Sequence, residues 1–139
     1  MSEPKNLLVT GGAGFIGSNF IHYIIENEVN WNIVNLDLLT YAGHLENLSD
    51  ITNDKYSFIK GDICDKDLVE RIFSDYQIDT VVHFAAETHV DRSILGPGQF
   101  IQTNIIGTFT LLEAVRQYWL VEKALKSAPV RFHHISTDE

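Results

Sequence analysis

Thr10-Gly11-Gly12-Ala13-Gly14-Phe15-Ile16-Gly17 is the stretch that carries the fold. It follows the apolar run Leu7-Leu8-Val9, which reads as a strand, and precedes an amphipathic run from Phe15 to Asn27, which reads as a helix. Gly11, Gly14 and Gly17 are spaced G-x-x-G-x-x-G. Glycine lets the backbone turn sharply and approach a ligand closely. The helix start then offers unpaired N–H groups and its positive dipole end to a pyrophosphate. An acidic residue, Asp37, ends the next strand about twenty residues on, the spacing a dinucleotide site calls for. A tight turn with a glycine packing contact is the alternative reading of the glycines.

Working outward, strand-like runs alternate with helix-like periodic runs. Strands are expected over Asn6–Thr10, Asn32–Leu36, Tyr56–Ile59, Thr80–Phe84 and Val130–Ile135. The first helix is expected to present Ile16, Phe20, Tyr23, Ile24 and Asn27 along one side. Leu38–Leu48 reads as a loop with a short helical turn. A helix starting near Asp65 is expected to bury Leu68, Val69, Ile72, Phe73 and Tyr76. The longest helix, residues 100–119, repeats apolar residues at Ile101, Ile105, Thr108, Leu112, Val115 and Trp119. Ile106, Phe109 and Leu111 widen that face, so the helix is expected to be covered on two sides. One side lies on the sheet, and the other meets a neighbouring helix or a second subunit.

This alternation predicts an α/β fold: a doubly wound parallel sheet of Rossmann type, with strand order 3-2-1-4-5. Ligands of such sheets bind at the carboxyl ends of the strands. The polar clusters fall there. Asp37 is placed to accept hydrogen bonds from ribose hydroxyls and to repel a 2′-phosphate, which favours NAD over NADP; a helix cap or loop salt bridge is the alternative. Asp62 is placed near the adenine edge, or is a turn or N-cap carboxylate. After the fourth strand, Ala85 and Ala86 allow close approach and Thr88 offers a hydroxyl. His89, Asp91 and Arg92 follow, with the arginine as a group beside the phosphate-binding crevice or as part of a surface ion pair. Ser136-Thr137-Asp138-Glu139 follows the fifth strand, and adjacent carboxylates there can split into proton donor and acceptor; a solvated acidic stretch is the alternative.

Composition narrows the classes. The 139 residues carry a net charge of −9, with 45% hydrophobic and 21% charged residues. That suits one soluble domain and argues against a nucleic-acid or anionic-membrane surface. One cysteine, Cys64, excludes an internal disulfide. Six histidines show no zinc spacing, and adjacent His133 and His134 on a strand point to opposite faces, so no metal site is expected. No signal peptide and no membrane-length apolar run is read, so a cytoplasmic location is the expectation.

The glycine motif resembles the extended short-chain dehydrogenase/reductase superfamily. Four further stretches narrow the resemblance: Leu39–Gly43, Gly61-Asp62-Ile63, His83–Ser93 and His134–Glu139. Together they are similar to the dTDP-glucose 4,6-dehydratase family. The resemblance implies an NAD-dependent hydro-lyase that converts dTDP-glucose to its 4-keto-6-deoxy product in deoxysugar synthesis. It implies that Thr137 holds the C4 hydroxyl, Asp138 protonates the leaving C6 hydroxyl and Glu139 removes the C5 proton. It places Gly11, Gly14, Phe15, Ile16, Gly17, Asp37, Leu38, Leu39, Thr40, Asp62, Ile63, Phe84, Ala85, Ala86, Thr88 and Thr103 near NAD, with Thr88 also near the sugar. A homodimer through helix 100–119 is implied as well. Another nucleotide-sugar epimerase, a UDP-sugar dehydratase or a non-catalytic NAD-binding module are the alternatives. The superfamily's Tyr-x-x-x-Lys pair is read as absent. Residues 1–139 are therefore expected to be an incomplete NAD-binding domain, cut after the fifth strand, without its substrate domain and inactive alone.

Overall fold

The computed structural model describes residues 3–40, 43–88, 90–123 and 129–136. Its core is a parallel sheet of β1 (Lys5–Thr10), β2 (Trp31–Asp37), β3 (Tyr56–Lys60), β4 (Thr80–His83) and β5 (Arg131–His134). The spatial order is β3-β2-β1-β4-β5, as the alternation predicts. β1 lies between β2 and β4, with Leu8 opposite both Val34 and Val81.

Both faces of the sheet are covered, which is why Leu7, Leu8 and Val9 are all apolar and all fully buried. Successive side chains point to opposite faces. On one face Leu8, Val34, Leu36 and Val81 pack with Val69, Ile72, Phe73, Leu111, Ala114, Tyr118 and Trp119. On the other, Leu7, Val9, Ile33 and Val82 pack with Ile21 and Ile24. The first set comes from α2 (Lys66–Tyr76) and from a long helix; the second comes from α1 (Phe15–Asn27).

α2 starts where Asp65 caps it, its side chain accepting the Leu68 N–H at 3.2 Å. It ends at Gln77, which takes the left-handed conformation with φ 51°. Phe73 sits under Tyr118 and Trp119, edge-on, at centroid distances of 5.9 and 6.0 Å. The Trp119 indole N–H donates to the Ile78 carbonyl at 2.6 Å. α3 (Val90–Leu95) is short. The long helix then runs unbroken over residues 97–122. It begins as α4 (Pro97–Phe100), winds as a π-helix over Ile101–Gly107, becomes α5 (Thr108–Val115), and winds as a π-helix again over Arg116–Glu122.

Three expected faces differ. α1 buries Gly17, Ser18, Ile21 and Ile24, while Ile16 and Tyr23 are exposed and Asn27 faces solvent. The small residues set this orientation, because a Cβ on Gly17 would collide with the Gly11 carbonyl. Tyr76 is exposed at the last turn of α2, beyond the reach of the long helix's aromatic pair. The long helix splits its expected stripe: Trp119 is buried, whereas Ile101, Ile105 and Leu112 are exposed beside Ile106 and Phe109. Its buried side is Leu111, Ala114 and Tyr118 with Trp119. The wider i→i+5 winding moves residues around the axis relative to a 3.6-residue repeat, so a stripe counted by threes and fours drifts off the packed face.

Candidate functional site

The site is the crevice at the carboxyl ends of β1, β2 and β4. Gly11 follows β1 with φ +71°, a conformation that favours glycine. A Cβ there would lie 2.7 Å from the Ala85 nitrogen, so the loops after β1 and β4 touch through the missing side chain. Gly14 is the N-cap of α1, with extended backbone. Ser18 N–H is the first to find an intrahelical carbonyl, that of Gly14 at 2.9 Å. The N–H groups of Phe15, Ile16 and Gly17 therefore lie in the helix's first turn without an i−4 partner. Phe15 and Ile16 are 81% and 65% exposed, so this positive helix end is open.

Asp37 closes the crevice on the β2 side and is buried. Its Oδ2 accepts the Ala13 N–H at 2.9 Å, and its Oδ1 accepts the Leu39 N–H at 2.8 Å. The carboxylate thus shapes the glycine-rich loop while keeping spare lone pairs for a further donor. Leu39 itself has φ 59°, unusual for a non-glycine residue. Leu38 and Thr40 beside it are exposed. Asp62, half-buried after β3, accepts the Cys64 N–H at 2.9 Å and so closes a turn. Ile63 is buried in the core, its side chain against Gly107 of the long helix. Burial raises the pKa of the Cys64 thiol, which donates to the Gln102 carbonyl at 3.2 Å.

On the β4 side, Phe84 packs on Phe20 of α1 at 5.4 Å. Ala85 is half-buried, and Ala86 and Thr88 are exposed. Thr103 is half-buried on the long helix. Asp91 and Arg92 are exposed on α3. Thr137, Asp138 and Glu139 lie outside the described residues, as do His89, Tyr41 and Ala42. Among the described residues no cluster of metal-ligating side chains forms.

Three polar residues, Asn35 and His83 buried and Asn104 half-buried, hold these loops, and motif reading passes over them. Asn35 accepts the Gly12 N–H at 3.0 Å and donates to the Tyr56 hydroxyl at 3.2 Å. Asn104 grips the backbone of Glu87 twice, accepting its N–H at 2.8 Å and donating to its carbonyl at 2.9 Å. His83 joins Thr10 to Thr108. A polar residue interrupting an apolar strand, as Asn35 does in Ile33-Val34-Asn35-Leu36, is the signal that marks such a role.

One Tyr-x-x-x-Lys spacing does occur, at Tyr56 and Lys60, against the reading that the chain has none. It lies on β3, where four residues span roughly 13 Å, whereas on a helix they would meet one turn apart. Burial raises the Tyr56 pKa, the direction opposite to that needed by a tyrosine base. An open groove of about 440 Å³ between α2 and the long helix, lined by Glu70, Arg71, Ser74, Gln117 and Tyr118 among others, lies on the outer side of that helix pair and belongs to none of these loops.

A family model described as GDP-mannose 4,6 dehydratase matches residues 8–139. A dTDP-glucose 4,6-dehydratase of Neisseria gonorrhoeae is 57% identical over 136 residues, covering 97% of this chain and 39% of that protein. A crystal structure of dTDP-glucose 4,6-dehydratase from Bacillus anthracis in complex with NAD is similar with a TM-score of 0.79 and 40% identity, over 96% of this chain and 38% of that one. A dTDP-glucose 4,6-dehydratase from Streptomyces venezuelae, solved with NAD bound, gives a TM-score of 0.76 and 43% identity over 81% of this chain and 36% of that one. The chain thus spans about two fifths of the length of the proteins it matches.

Proposed function

This chain belongs to the GDP-mannose 4,6 dehydratase family, and from that premise we propose that it is the NAD-binding portion of a nucleotide-sugar 4,6-dehydratase acting on dTDP-glucose. The carrying observation is the fit of the crevice to a dinucleotide. The open end of α1 offers unpaired N–H groups to a pyrophosphate, and Gly11 keeps the floor free of a side chain that would meet Ala85. The buried Asp37 carboxylate keeps lone pairs for ribose hydroxyls and sets a negative charge against a 2′-phosphate. When bound, NAD supplies reversible hydride transfer to and from the sugar. The crystal structures of two dTDP-glucose 4,6-dehydratases with NAD support this assignment.

Within it, Gly11, Gly14, Phe15, Ile16 and Gly17 take the pyrophosphate side. Asp37, Leu38, Leu39 and Thr40 take the adenosine ribose, and Asp62 and Ile63 the adenine. Phe84, Ala85, Ala86, Thr88 and Thr103 border the nicotinamide half. Thr88 and Thr137 hold the sugar; Asp138 and Glu139 act as general acid and base of the elimination. The exposed apolar side of the long helix, with Ile101, Ile105, Phe109 and Leu112, is the surface for a homodimer. Among the described residues no helix is long and apolar enough to cross a membrane, and a cytoplasmic location is part of the proposal.

Calorimetric titration with NAD⁺ and NADP⁺ tests the reading. NAD⁺ is expected to bind, and NADP⁺ at least about tenfold more weakly, since about 1.4 kcal/mol of charge repulsion suffices for that ratio. Absence of NAD⁺ binding at millimolar concentration, or equal affinity for NADP⁺, refutes it. With dTDP-glucose and NAD⁺ the 139 residues are expected to give negligible 4-keto-6-deoxy product; steady product formation would overturn the view that they are only the cofactor-binding portion.

A further inference from the structure

His83 ends β4 and is 1% exposed. Its Nδ1 lies 2.5 Å from the Thr10 hydroxyl, and its Nε2 lies 2.9 Å from the Thr108 hydroxyl on the long helix. The Thr10 oxygen also accepts the Ala85 N–H at 3.3 Å. The Thr10 hydroxyl keeps a second lone pair and its own hydrogen, so a neutral ring meets the two hydroxyls with one N–H and one lone pair. From β5, His134 faces the ring at 5.0 Å and Phe132 at 6.3 Å. Burial first, and then His134, lower the His83 pKa to about 4, so the ring is uncharged at pH 7.

We propose that His83 is a positioning residue for the cofactor, setting through Thr10 and Thr108 how the glycine-rich loop and residues 85–88 lie against the long helix. The proposal rests on the NAD-binding reading above. Its force comes from adjacency. Thr10 precedes Gly11, and Gly11 meets Ala85 across a gap that cannot hold a methyl group. Asn104, one turn before Thr108 on the same helix, pins Glu87. The helix therefore grips both sides of the crevice, and His83 is the link that reaches the β1 side. His83, Thr10 and Thr108 are not among the residues placed against the cofactor, so their effect on it is one of position.

The test is NAD⁺ titration of the wild-type chain, Thr108→Val, Thr108→Ser and His83→Gln, with melting temperature measured for each. Thr108→Val is expected to weaken NAD⁺ about fivefold, the size of one net hydrogen bond, and Thr108→Ser to restore wild-type affinity. In the His83→Gln background Thr108→Val should have no further effect, which a merely structural threonine would not produce. Unchanged affinity in Thr108→Val, or the same loss in both backgrounds, overturns the inference while leaving the cofactor reading intact. Failure of the wild type to bind NAD⁺ overturns both. Nitrogen NMR of the His83 ring needs no variant, should Thr108→Val not fold. A neutral ring at pH 7 whose resonances move on saturation with NAD⁺ supports the proposal. An imidazolium, or resonances indifferent to NAD⁺, refute it.

Discussion

Lowering the pH should destabilise this fold through His83, by an amount that follows from its burial. The folded-state pKa is about 4, against 6.5 for a free imidazole, with burial the main cause. The folded chain therefore binds fewer protons than the unfolded chain in that window, and stability falls as pH falls from 6.5 towards 4. Linkage gives a loss of about 1.3 kcal/mol between pH 7.5 and 5.5, rising to about 3 kcal/mol below pH 4. Other groups also titrate in this range, so the measured quantity is a difference. Urea unfolding, followed by the fluorescence of Trp31 and the buried Trp119, is compared at pH 7.5 and 5.5 for wild type and His83→Gln. Glutamine cannot titrate and keeps a donor and an acceptor. The variant will be less stable at pH 7.5, because it loses the fitted ring. Its loss on acidification should be smaller than the wild type's by about 1.3 kcal/mol. Equal losses in the two proteins would refute the argument that the buried ring stays neutral.

Gly11→Ala forces a side chain into φ +71° and against Ala85; a loss of about 1–3 kcal/mol in urea unfolding and of measurable NAD⁺ binding is expected. Asp37→Asn cannot accept from both Ala13 and Leu39, so it should cost about 1–3 kcal/mol, and calorimetry should show the preference for NAD⁺ over NADP⁺ reduced. Trp119→Phe leaves the Ile78 carbonyl without its donor, and unfolding should show about 1–3 kcal/mol lost with NAD⁺ affinity unchanged. Unaltered stability in any of the three would count against the contact named.

The strand order, the glycine-rich turn and the place of the crevice were legible in the sequence because each is encoded locally. The apolar strands, the spacing of Gly11, Gly14 and Gly17 and the acid at Asp37 state what the backbone must do within a few residues. The helix start near Asp65 and the loop beginning at Leu38 were legible on the same ground. α2 buries Val69, Ile72 and Phe73 as its repeat predicts, but which side of α1 and of the long helix is buried was not legible. For α1 the answer lay in Gly17 meeting Gly11, and for the long helix in a π winding that no residue pattern announces. Tyr56 and Lys60 show the same limit, since their spacing means one thing on a helix and another on β3.

The sequence by itself determined a parallel α/β sheet with a glycine-rich turn after β1. Only the tertiary structure decided what holds that turn in place. Thr10 and His83 are 73 residues apart, and His83 and Thr108 a further 25, yet they form one hydrogen-bonded line through the core. Such pairs leave no periodic trace, because they are made by the packing of β1, β4 and the long helix and not by any stretch of chain alone. A buried polar group must find a partner wherever the fold brings one, and that requirement can be read only once the fold exists.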